Sequence, residues 1–296
     1  MKKTAHAASP VQEHSRLVLT VMAAAGGSGR STVAGLLADV TAQFSTTVVV
    51  DLTPRMSSPW PRLVPAPDTV GIAALPPDQP QSRSQVRGAC ADCSAGPGQP
   101  SWQLLTDLRD WHAEPLRLPA QAAAWYQLLS VGGWQTIIAD TPHVVGDDIV
   151  NARRTGEHGT TRAWYELPHT VGVLTASATA SGVQSLQQTV RAYQADGLPL
   201  DRTVVALVSA GSGRLPPAVR SAATMLRAHV PAVVPIPYDP LIRAQGLLHR
   251  ARLRSDTRNA AGRLARAAFG AALATWGDPL PAAPRPTPLS PSVTVL

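Results

Sequence analysis

A glycine-rich loop between an apolar run and an amphipathic segment is the strongest constraint on how this chain folds. The loop spans residues 24–32 and includes Gly26, Gly27 and Gly29, while residues 17–22 form the apolar run before it. Glycines let the backbone turn tightly with its N–H groups inward, and a following helix adds unpaired amides and the positive end of its dipole. The order of strand, glycine loop and helix therefore predicts a cradle for an anion such as phosphate.

The loop differs from the usual phosphate-binding loop at its charged position. The pattern G-x-x-x-x-G-K-[ST] places a lysine on the β and γ phosphates and a hydroxyl on Mg²⁺. Here Ala24 replaces the first glycine, Arg30 replaces the lysine and Ser31 keeps the hydroxyl. No lysine of the fold can substitute, because the sequence contains only Lys2 and Lys3. We interpret the loop as a phosphate cradle with an altered catalytic charge; the alternative is a glycine turn without a ligand.

Apolar runs and helical patterns alternate along the chain. Runs typical of parallel strands buried on both faces occur at residues 47–51, 134–142, 171–175, 203–209 and 232–236. Helical spacing of apolar residues predicts helices at residues 31–43, 101–111, 120–129, 183–193, 219–230 and 240–276. Two of the strands close on acids, Asp51 and Asp140, and Asp51 would lie at the edge where α/β proteins bind ligands. The alternation predicts an α/β fold with a mainly parallel sheet flanked by helices.

Composition divides the chain into one domain and three irregular stretches. Residues 16–276 carry the alternating pattern and form the α/β domain. Residues 53–100 are rich in Pro, Gly and Ser without periodicity, so we predict a largely irregular insertion. Residues 1–15 are predicted to be a loose tail because they lack the apolar segment of a secretion signal. Residues 277–296 are rich in proline and are predicted to be disordered or extended.

Four motifs in order resemble those of the ParA/MinD family of P-loop ATPases. They are residues 26–32, similar to a deviant Walker A loop; 50–54, similar to an acidic segment; 137–142, similar to a Walker B strand; and 234–239, similar to a segment bordering the nucleotide base. The resemblance covers most of residues 16–276 apart from 53–100. It implies the three-layer architecture of P-loop NTPases, with ATP or ADP and Mg²⁺ as ligands.

The resemblance implies a role for each matching residue. Asp51 would be a candidate catalytic acid, and Mg²⁺ would be bound by Ser31 directly and by Asp140 indirectly. The residues that would bind the nucleotide are Gly26, Gly27, Ser28, Gly29, Arg30, Ser31, Thr32, Pro237, Tyr238 and Asp239.

Three further positions depart from the family pattern. Ala25 stands at the signature lysine, Thr53 at a second acid that helps organise the attacking water, and Ser209 at an asparagine that often contacts the base. Phosphoryl transfer depends on positive charge placed against the transition state, so missing or displaced charges cost orders of magnitude in rate. We therefore expect the protein to bind ATP or ADP weakly and to hydrolyse it slowly or not at all.

The formal net charge of +7 is carried almost wholly by arginine. Its densest stretch lies near the C-terminal end of the domain. ParA-like proteins often bind DNA non-specifically through basic residues, so the resemblance implies DNA as a partner; a solvated helix face is the alternative. The candidate DNA-binding residues are Arg243, Arg250, Arg252, Arg254 and Arg258, followed by Arg263 and Arg266.

Membrane insertion and a disulfide framework are not expected. No apolar run approaches the roughly 20 residues that span a bilayer. The proline-rich residues 281–286 cannot form the amphipathic membrane helix that ends MinD-like proteins. Two cysteines in 296 residues agree with a reducing compartment, and we expect a cytoplasmic protein.

Three smaller features are weighed against structural explanations. Cys90 and Cys93 form a C-x-x-C pair, but zinc usually takes four ligands from two such pairs. Two free thiols or a local redox pair are therefore favoured, with zinc shared across a dimer as the alternative. His143 follows the Asp140 strand, and residues 210–214 form a second glycine turn. We interpret both as structural.

Two classes of function fit these features. The first is a divergent ParA/MinD-like nucleotide-binding protein that positions, partitions or assembles cargo through self-association, as a homodimer, and an unidentified protein partner. The second is a non-enzymatic adaptor that keeps the fold as a scaffold and binds protein partners and DNA. DNA binding without nucleotide control is a third possibility.

Overall fold

An eight-stranded sheet organises the residues that the computed structural model describes, which are 14–64, 71–76, 79–116 and 118–286. The strands are β1 (Leu17–Ala23), β2 (Thr47–Asp51), β3 (Ala91–Ser94), β4 (Ser101–Leu105), β5 (Thr136–Val144), β6 (Thr170–Ser177), β7 (Thr203–Val208) and β8 (Ala232–Ile236). Every residue of β1 and β2 is buried. Their continuous apolar runs thus correspond to strands covered on both faces.

The strand order places the glycine loop and both predicted acids together. The order is β3-β4-β2-β5-β1-β6-β7-β8, and neighbouring strands are parallel except β3 with β4. Asp140 of β5 lies opposite Asp51 of β2 on one side and Val21 of β1 on the other. The carboxyl ends of β1, β2 and β5 therefore meet at one edge of the sheet.

Helices cover both faces of the sheet. They are α1 (Arg30–Thr41), α2 (Arg83–Gly88), α3 (Ala122–Gly132), α4 (Val145–Thr155), α5 (Thr160–Tyr165), α6 (Ala180–Asp196), α7 (Pro217–Leu226), α8 (Pro240–Gln245) and α9 (Ser255–Trp276). Within the described part of the chain, no helix is long and apolar enough to cross a membrane.

Two opposite cores separate the helices into layers. Leu19 and Val21 of β1 pack in a cluster with α1 and α9, whereas Val18 and Met22 face clusters formed with the remaining long helices. Successive side chains of a strand point to opposite faces, so one strand serves both cores. The predicted α/β architecture with a mainly parallel sheet and three layers is confirmed.

The helix predicted at residues 101–111 is wrong, because this segment begins with strand β4. Trp102 and Leu104 are buried in the core with α1, while Leu105 belongs to the opposite core. The spacing of Trp102, Leu105 and Leu108 fits one helical face, but the pairing of β4 with β2 and β3 provides backbone hydrogen bonds on both sides. Tertiary pairing overrides a short helical pattern here.

The segment predicted to be a largely irregular insertion, residues 53–100, contains more regular structure than expected. It includes α2, β3 and short 3₁₀ turns at Arg55–Ser57, Trp60–Leu63 and Gly71–Ala74. The N-terminus of α2 is fixed by a capping box between Ser82 and Gln85. Strands β3 and β4 extend the sheet at its edge, so the insertion is part of the core rather than separate from it.

The two predicted tails meet on the domain where the structure describes them. The Ser15 hydroxyl donates to the Leu280 carbonyl oxygen at 2.6 Å, and Ser15 forms a bridge with Ala282. Leu280 is buried against the core of α1 and α9. The domain therefore extends beyond the predicted boundaries of 16 and 276. The remaining parts of both predicted tails, 1–13 and 287–296, lie outside the described residues.

Candidate functional site

The glycine loop after β1 has the backbone geometry of an anion cradle. Gly27 and Gly29 have positive φ angles of 69° and 83°, a conformation that residues with a Cβ rarely adopt. Gly29 is the N-terminal cap of α1, and its carbonyl oxygen accepts the Val33 amide at 2.9 Å. A Cβ added to Gly26 or Gly27 would meet no atom within 4 Å. The space beside these two glycines is therefore unobstructed.

A buried pair of hydroxyls ties the loop to β6. The Ser28 and Thr175 hydroxyls lie 2.7 Å apart, and the Thr175 hydroxyl also donates to the Met22 carbonyl oxygen at 3.1 Å. Ser28 is buried, although the sequence assigned it to nucleotide contact. Its side chain anchors the loop, which leaves its backbone as the part of Ser28 that could face a ligand.

Arg30 forms an ion pair with Asp140 instead of extending into solvent. The distance from Arg30 Nε to Asp140 Oδ1 is 2.9 Å, and the Trp60 indole Nε1 donates to Asp140 Oδ2 at 2.7 Å. Asp140 has no exposed surface. Burial raises the pKa of Asp140 above its ordinary value, while the Arg30 charge and hydrogen bonds from Ser31 and Trp60 oppose that rise.

Asp51, the candidate catalytic acid, is saturated with hydrogen bonds. Its Oδ2 accepts the Ser58 and Thr106 hydroxyls, each at 2.6 Å. Its Oδ1 accepts the Thr53 amide at 2.9 Å and the Thr53 hydroxyl. Burial raises the pKa of Asp51, and these hydrogen bonds lower it in part. Thr53, at the position of the second acid in the sequence pattern, thus orients Asp51.

The two carboxylates do not fit Mg²⁺ as they are placed. Mg²⁺ requires nearly octahedral oxygen ligands at about 2.0–2.1 Å. Both oxygens of Asp140 are engaged, one by a guanidinium whose positive charge opposes a second cation at the same site. Both oxygens of Asp51 are engaged as well. Direct coordination by Asp140 would bring a metal ion against the Arg30 charge, while Ser31 as a metal ligand and an indirect contact to Asp140 stay predictions.

Asp239 in the predicted base-binding segment caps one helix and anchors another. Its Oδ1 accepts the Leu241 amide of α8 at 3.0 Å. Its Oδ2 accepts the Arg254 amide at 3.0 Å and the Thr257 hydroxyl of α9 at 2.8 Å. Pro237 and Tyr238 are half-buried between β8 and this cap. They are the residues of this segment whose side chains are left to border a nucleotide.

One residue of the predicted DNA-binding set is buried and therefore misassigned. Arg250 pairs with Asp39 at 2.9 Å and donates to the carbonyl oxygens of Leu247 and Ser94 at 3.1 and 2.9 Å. Its guanidinium lies 5.0 Å from the ring centroid of Trp102. The other candidates are exposed: Arg243, Arg252, Arg254, Arg258, Arg263 and Arg266.

The two cysteines lie in different cores. Cys90 packs with Val86 in the cluster of α2 and α3, whereas Cys93 packs with Trp102 in the cluster on the opposite face of the sheet. Both thiols are free and buried, and burial raises the pKa of Cys90 to about 12 and that of Cys93 to about 11. Among the described residues, no group of three or more His, Cys, Asp or Glu side chains could hold a metal ion.

We expect both thiols to be unreactive in the folded protein, because each is buried and protonated at neutral pH. Ellman's reagent should label neither thiol in native protein and both in denaturant. The Cys90→Ala and Cys93→Ala variants identify which thiol reacts. Rapid labelling of both thiols in native protein would contradict their burial, and a disulfide formed between them without unfolding would contradict their placement on opposite faces.

His143 lies close to the loop but is held neutral. Burial lowers the pKa of His143 to about 4, and its Nε2 is 3.0 Å from the Thr161 hydroxyl. Its Nδ1 is buried without a hydrogen-bond partner among the described residues. At neutral pH this side chain contributes no charge to the site.

Several residues that donate hydrogen bonds to Asp51 and Asp140 were not predicted from the sequence. Trp60 and Ser58 lie in the proline-rich stretch that lacked periodicity, and Thr106 lies in a segment predicted to be helical. A tryptophan soon after the strand that ends at Asp51 was the only local signal. Nothing in the spacing shows that its indole reaches Asp140.

Comparison with solved structures identifies the fold. No protein-family model matches the chain, and no curated protein matches it. The McdA–ATP complex from Cyanothece is similar, with a TM-score of 0.57 and 13% identity over 88% of this chain and 98% of that one. A chain of the MinC:MinD cell division protein complex of Aquifex aeolicus gives a TM-score of 0.56 and 13% identity over 86% of this chain and 96% of that one.

A ParA family ATPase from Chlorobium tepidum TLS gives a TM-score of 0.55 and 15% identity over 88% of this chain and 98% of that one. These matches extend over nearly the whole length of each compared structure. Identities this low establish the fold and not the activity. The chain therefore has the ParA/MinD-like P-loop ATPase fold.

Proposed function

We propose that this protein is a nucleotide-binding positioning or partitioning factor that holds ATP or ADP and hydrolyses ATP slowly or not at all. Two observations support binding. Gly26 and Gly27 are exposed next to the N-terminus of α1, where an anion is favoured, and an added Cβ at either would meet no atom within 4 Å. The similar McdA structure is a complex with ATP. In this protein the glycine loop follows the central strand β1.

The contact between Arg30 and Asp140 carries the second half of this proposal. In phosphoryl transfer, a P-loop cation and a metal ion stabilise the charge that develops on the transferred group. Here the cation is paired with the buried acid 2.9 Å away, which weakens its field at the phosphates. Asp51 is surrounded by hydrogen-bond donors and cannot readily accept a proton from water. Binding is therefore retained more fully than hydrolysis.

Thermal unfolding and phosphate release test this function directly. We expect ADP and ATP to raise the melting temperature, because a ligand that binds only the folded state stabilises it by mass action. Adenosine, which lacks phosphates, is the matched control and should have little effect. Phosphate release from ATP should not exceed the buffer blank. Turnover comparable to that of ordinary ATPases of this fold would refute the proposal of slow hydrolysis.

Self-association and a protein partner form part of the same proposal. The turn at Arg55–Ser57 and the loop near Trp111 are joined, since Arg55 donates to Asp107 at 3.3 Å and to the Trp111 carbonyl oxygen at 3.5 Å. Met56 and Trp111 in these segments are 74% and 73% exposed. Exposed large apolar side chains beside the site suit a protein interface. Light scattering with and without ATP measures whether the mass doubles.

The adaptor function, with DNA as a partner, is favoured by a specific observation. Arg243, Arg252, Arg254 and Arg258 are all exposed in the segment from α8 to the start of α9. Guanidinium groups bind phosphates through forked hydrogen bonds. DNA affinity that does not change with ATP or ADP would favour this function over nucleotide control.

DNA binding should fall steeply with salt if these arginines contact phosphates. A plot of log affinity against log salt has a negative slope. We expect this slope to become less negative by about 0.9 for each phosphate contact removed, as in Arg252→Ala and Arg258→Ala. Arg191→Ala on α6, well separated from this segment in the sequence, is the arginine control. Fluorescence anisotropy with random duplex DNA gives the slope, and absence of binding at low salt would exclude this function.

A further inference from the structure

We propose that the glycine loop binds the phosphates of its ligand without a divalent cation, and that the free edge of the Arg30 guanidinium supplies hydrogen-bond donors to those phosphates. This inference rests on the proposed nucleotide-binding function and defines its chemistry. It follows from the ion pairs and hydrogen bonds that the charged side chains at this edge of the sheet already make.

The acidic side chains around the loop are already paired. Asp140 accepts Arg30 and Trp60, and Asp51 accepts only uncharged donors from surrounding residues. Asp107, after the neighbouring strand β4, pairs with Arg55 at 3.3 Å and Arg109 at 3.0 Å. Mg²⁺ is held in phosphate sites by one or two carboxylates together with the phosphates. Each of these three carboxylates already accepts hydrogen bonds at both oxygens, and the guanidinium charges beside Asp140 and Asp107 oppose a second cation there.

The Trp60 contact is built into the core and resists displacement. Trp60 has no exposed surface, and its ring meets the Trp102 ring edge to face with centroids 6.1 Å apart. It also packs near Gly35 of α1, where an added Cβ would lie 3.6 Å from the indole. A metal ion bound to Asp140 Oδ2 would compete with the buried indole N–H for that oxygen. An unsatisfied buried donor costs about 1–3 kcal/mol.

Arg30 can serve Asp140 and a phosphate together. Its Nε donates to Asp140, while its two terminal nitrogens make no hydrogen bond to any residue in the described ranges. The Arg30 side chain is 18% exposed. A guanidinium has five N–H donors in a planar fork, so one edge can hold a carboxylate while the other binds phosphate oxygens. A lysine ammonium is a single point charge and lacks this second edge.

The phosphate side of the site complements this fork. Gly26 and Gly27 are exposed and precede Arg30 in the loop, and their surroundings are open. Backbone amides and the α1 N-terminus attract negative charge without a metal ion. The site therefore offers amides, a helix dipole and a guanidinium fork. These groups recognise a di- or triphosphate through its oxygen atoms rather than through a chelated cation.

Isothermal titration of the full chain with ADP in EDTA and in excess Mg²⁺ tests the inference. We expect the two dissociation constants to agree within about threefold, a difference of roughly 0.7 kcal/mol. An ADP affinity that rises by more than this with Mg²⁺ would overturn the inference and leave nucleotide binding intact. No ADP binding in either buffer would overturn the proposed function itself, so the two failures are distinguishable.

Two variants separate the fork from the metal in the same titration, after circular dichroism confirms that each is folded. Arg30→Lys keeps the charge but not the fork, and we expect its ADP affinity in EDTA to fall about tenfold. An undiminished affinity would overturn the role of the fork. Asp140→Asn removes the carboxylate charge, and we expect its ADP affinity to differ from that of the natural protein by the same factor in EDTA and in Mg²⁺. A loss of ADP affinity confined to buffers with Mg²⁺ would identify Asp140 as a metal ligand and overturn the inference.

Discussion

Replacing Arg30 by alanine should lower the free energy of unfolding by about 3–5 kcal/mol at neutral pH, because it leaves a buried carboxylate without its counter-charge. Asp140 is fully buried, and in this variant only uncharged donors, including the indole of Trp60, would remain to it. The same change removes the only charged side chain of the glycine loop, so ADP binding should be lost as well. Denaturant unfolding measures the first effect and titration the second.

The loss of stability in this variant should depend on pH with a definite sign. Burial already raises the pKa of Asp140 above 3.8, and Arg30 is the main influence against that rise. Without Arg30 the pKa of Asp140 rises further, so the folded state binds a proton more tightly than the unfolded chain does. Stability then falls as pH increases from the ordinary carboxyl pKa to the raised one. The deficit relative to the natural protein should therefore be smaller at acid pH than at neutral pH.

Two controls isolate the ion pair from a general effect of removing arginine. Arg214→Ala changes an exposed arginine in the glycine turn after β7 and should alter stability by less than about 0.5 kcal/mol. The double variant Arg30→Ala with Asp140→Asn removes both charges and should recover stability and lose the added pH dependence. A single Arg30→Ala variant as stable as the natural protein at neutral pH would show that this pair is not formed.

Arg250→Ala should be destabilising by a similar amount, about 3–5 kcal/mol, for a related reason. The change leaves Asp39 with the Trp102 indole as its remaining hydrogen-bond donor, at 2.8 Å. It also frees the carbonyl oxygens of Leu247 and Ser94 and removes the guanidinium from the Trp102 ring. The helix α1, the β3–β4 hairpin and the segment before α9 all lose contacts at one point. Denaturant unfolding monitored by tryptophan fluorescence checks this expectation.

Arg252, two residues later, provides the matched control because it is exposed. Arg252→Ala should change the free energy of unfolding by less than about 0.5 kcal/mol. The order should reverse for DNA binding. Arg252→Ala should weaken DNA binding more than Arg250→Ala does, because Arg252 and not Arg250 can reach a phosphate. Equal stability of the two variants would contradict the burial of Arg250.

Local patterns in the sequence predicted most of the fold. Continuous apolar runs located β1, β2 and β5 through β8, since a strand buried on both faces carries few polar residues. The same patterns missed β3 and β4. These two strands depend on each other and on β2, and the short segment around Trp102 fits a helix equally well when its partners are unknown.

The candidate site also combines features that the sequence predicts with features that it does not. Glycines, a following helix and Arg30 mark an anion cradle within a few residues, because backbone conformation and helix dipoles are local properties. The partners of Arg30 are not local. Asp140 and Trp60 reach the loop from positions 110 and 30 residues away along the chain.

The sequence by itself therefore determined the layered α/β architecture and the place of the cradle, whereas only the tertiary structure decided what its charges do. Periodicity and glycine positions act through neighbouring residues and can be recognised in one dimension. Whether Arg30 faces solvent or Asp140, and whether Arg250 lies on a surface or inside, depends on which distant side chains fold beside them. Desolvation and ion pairing are set by that three-dimensional environment, and they give the loop its proposed chemistry.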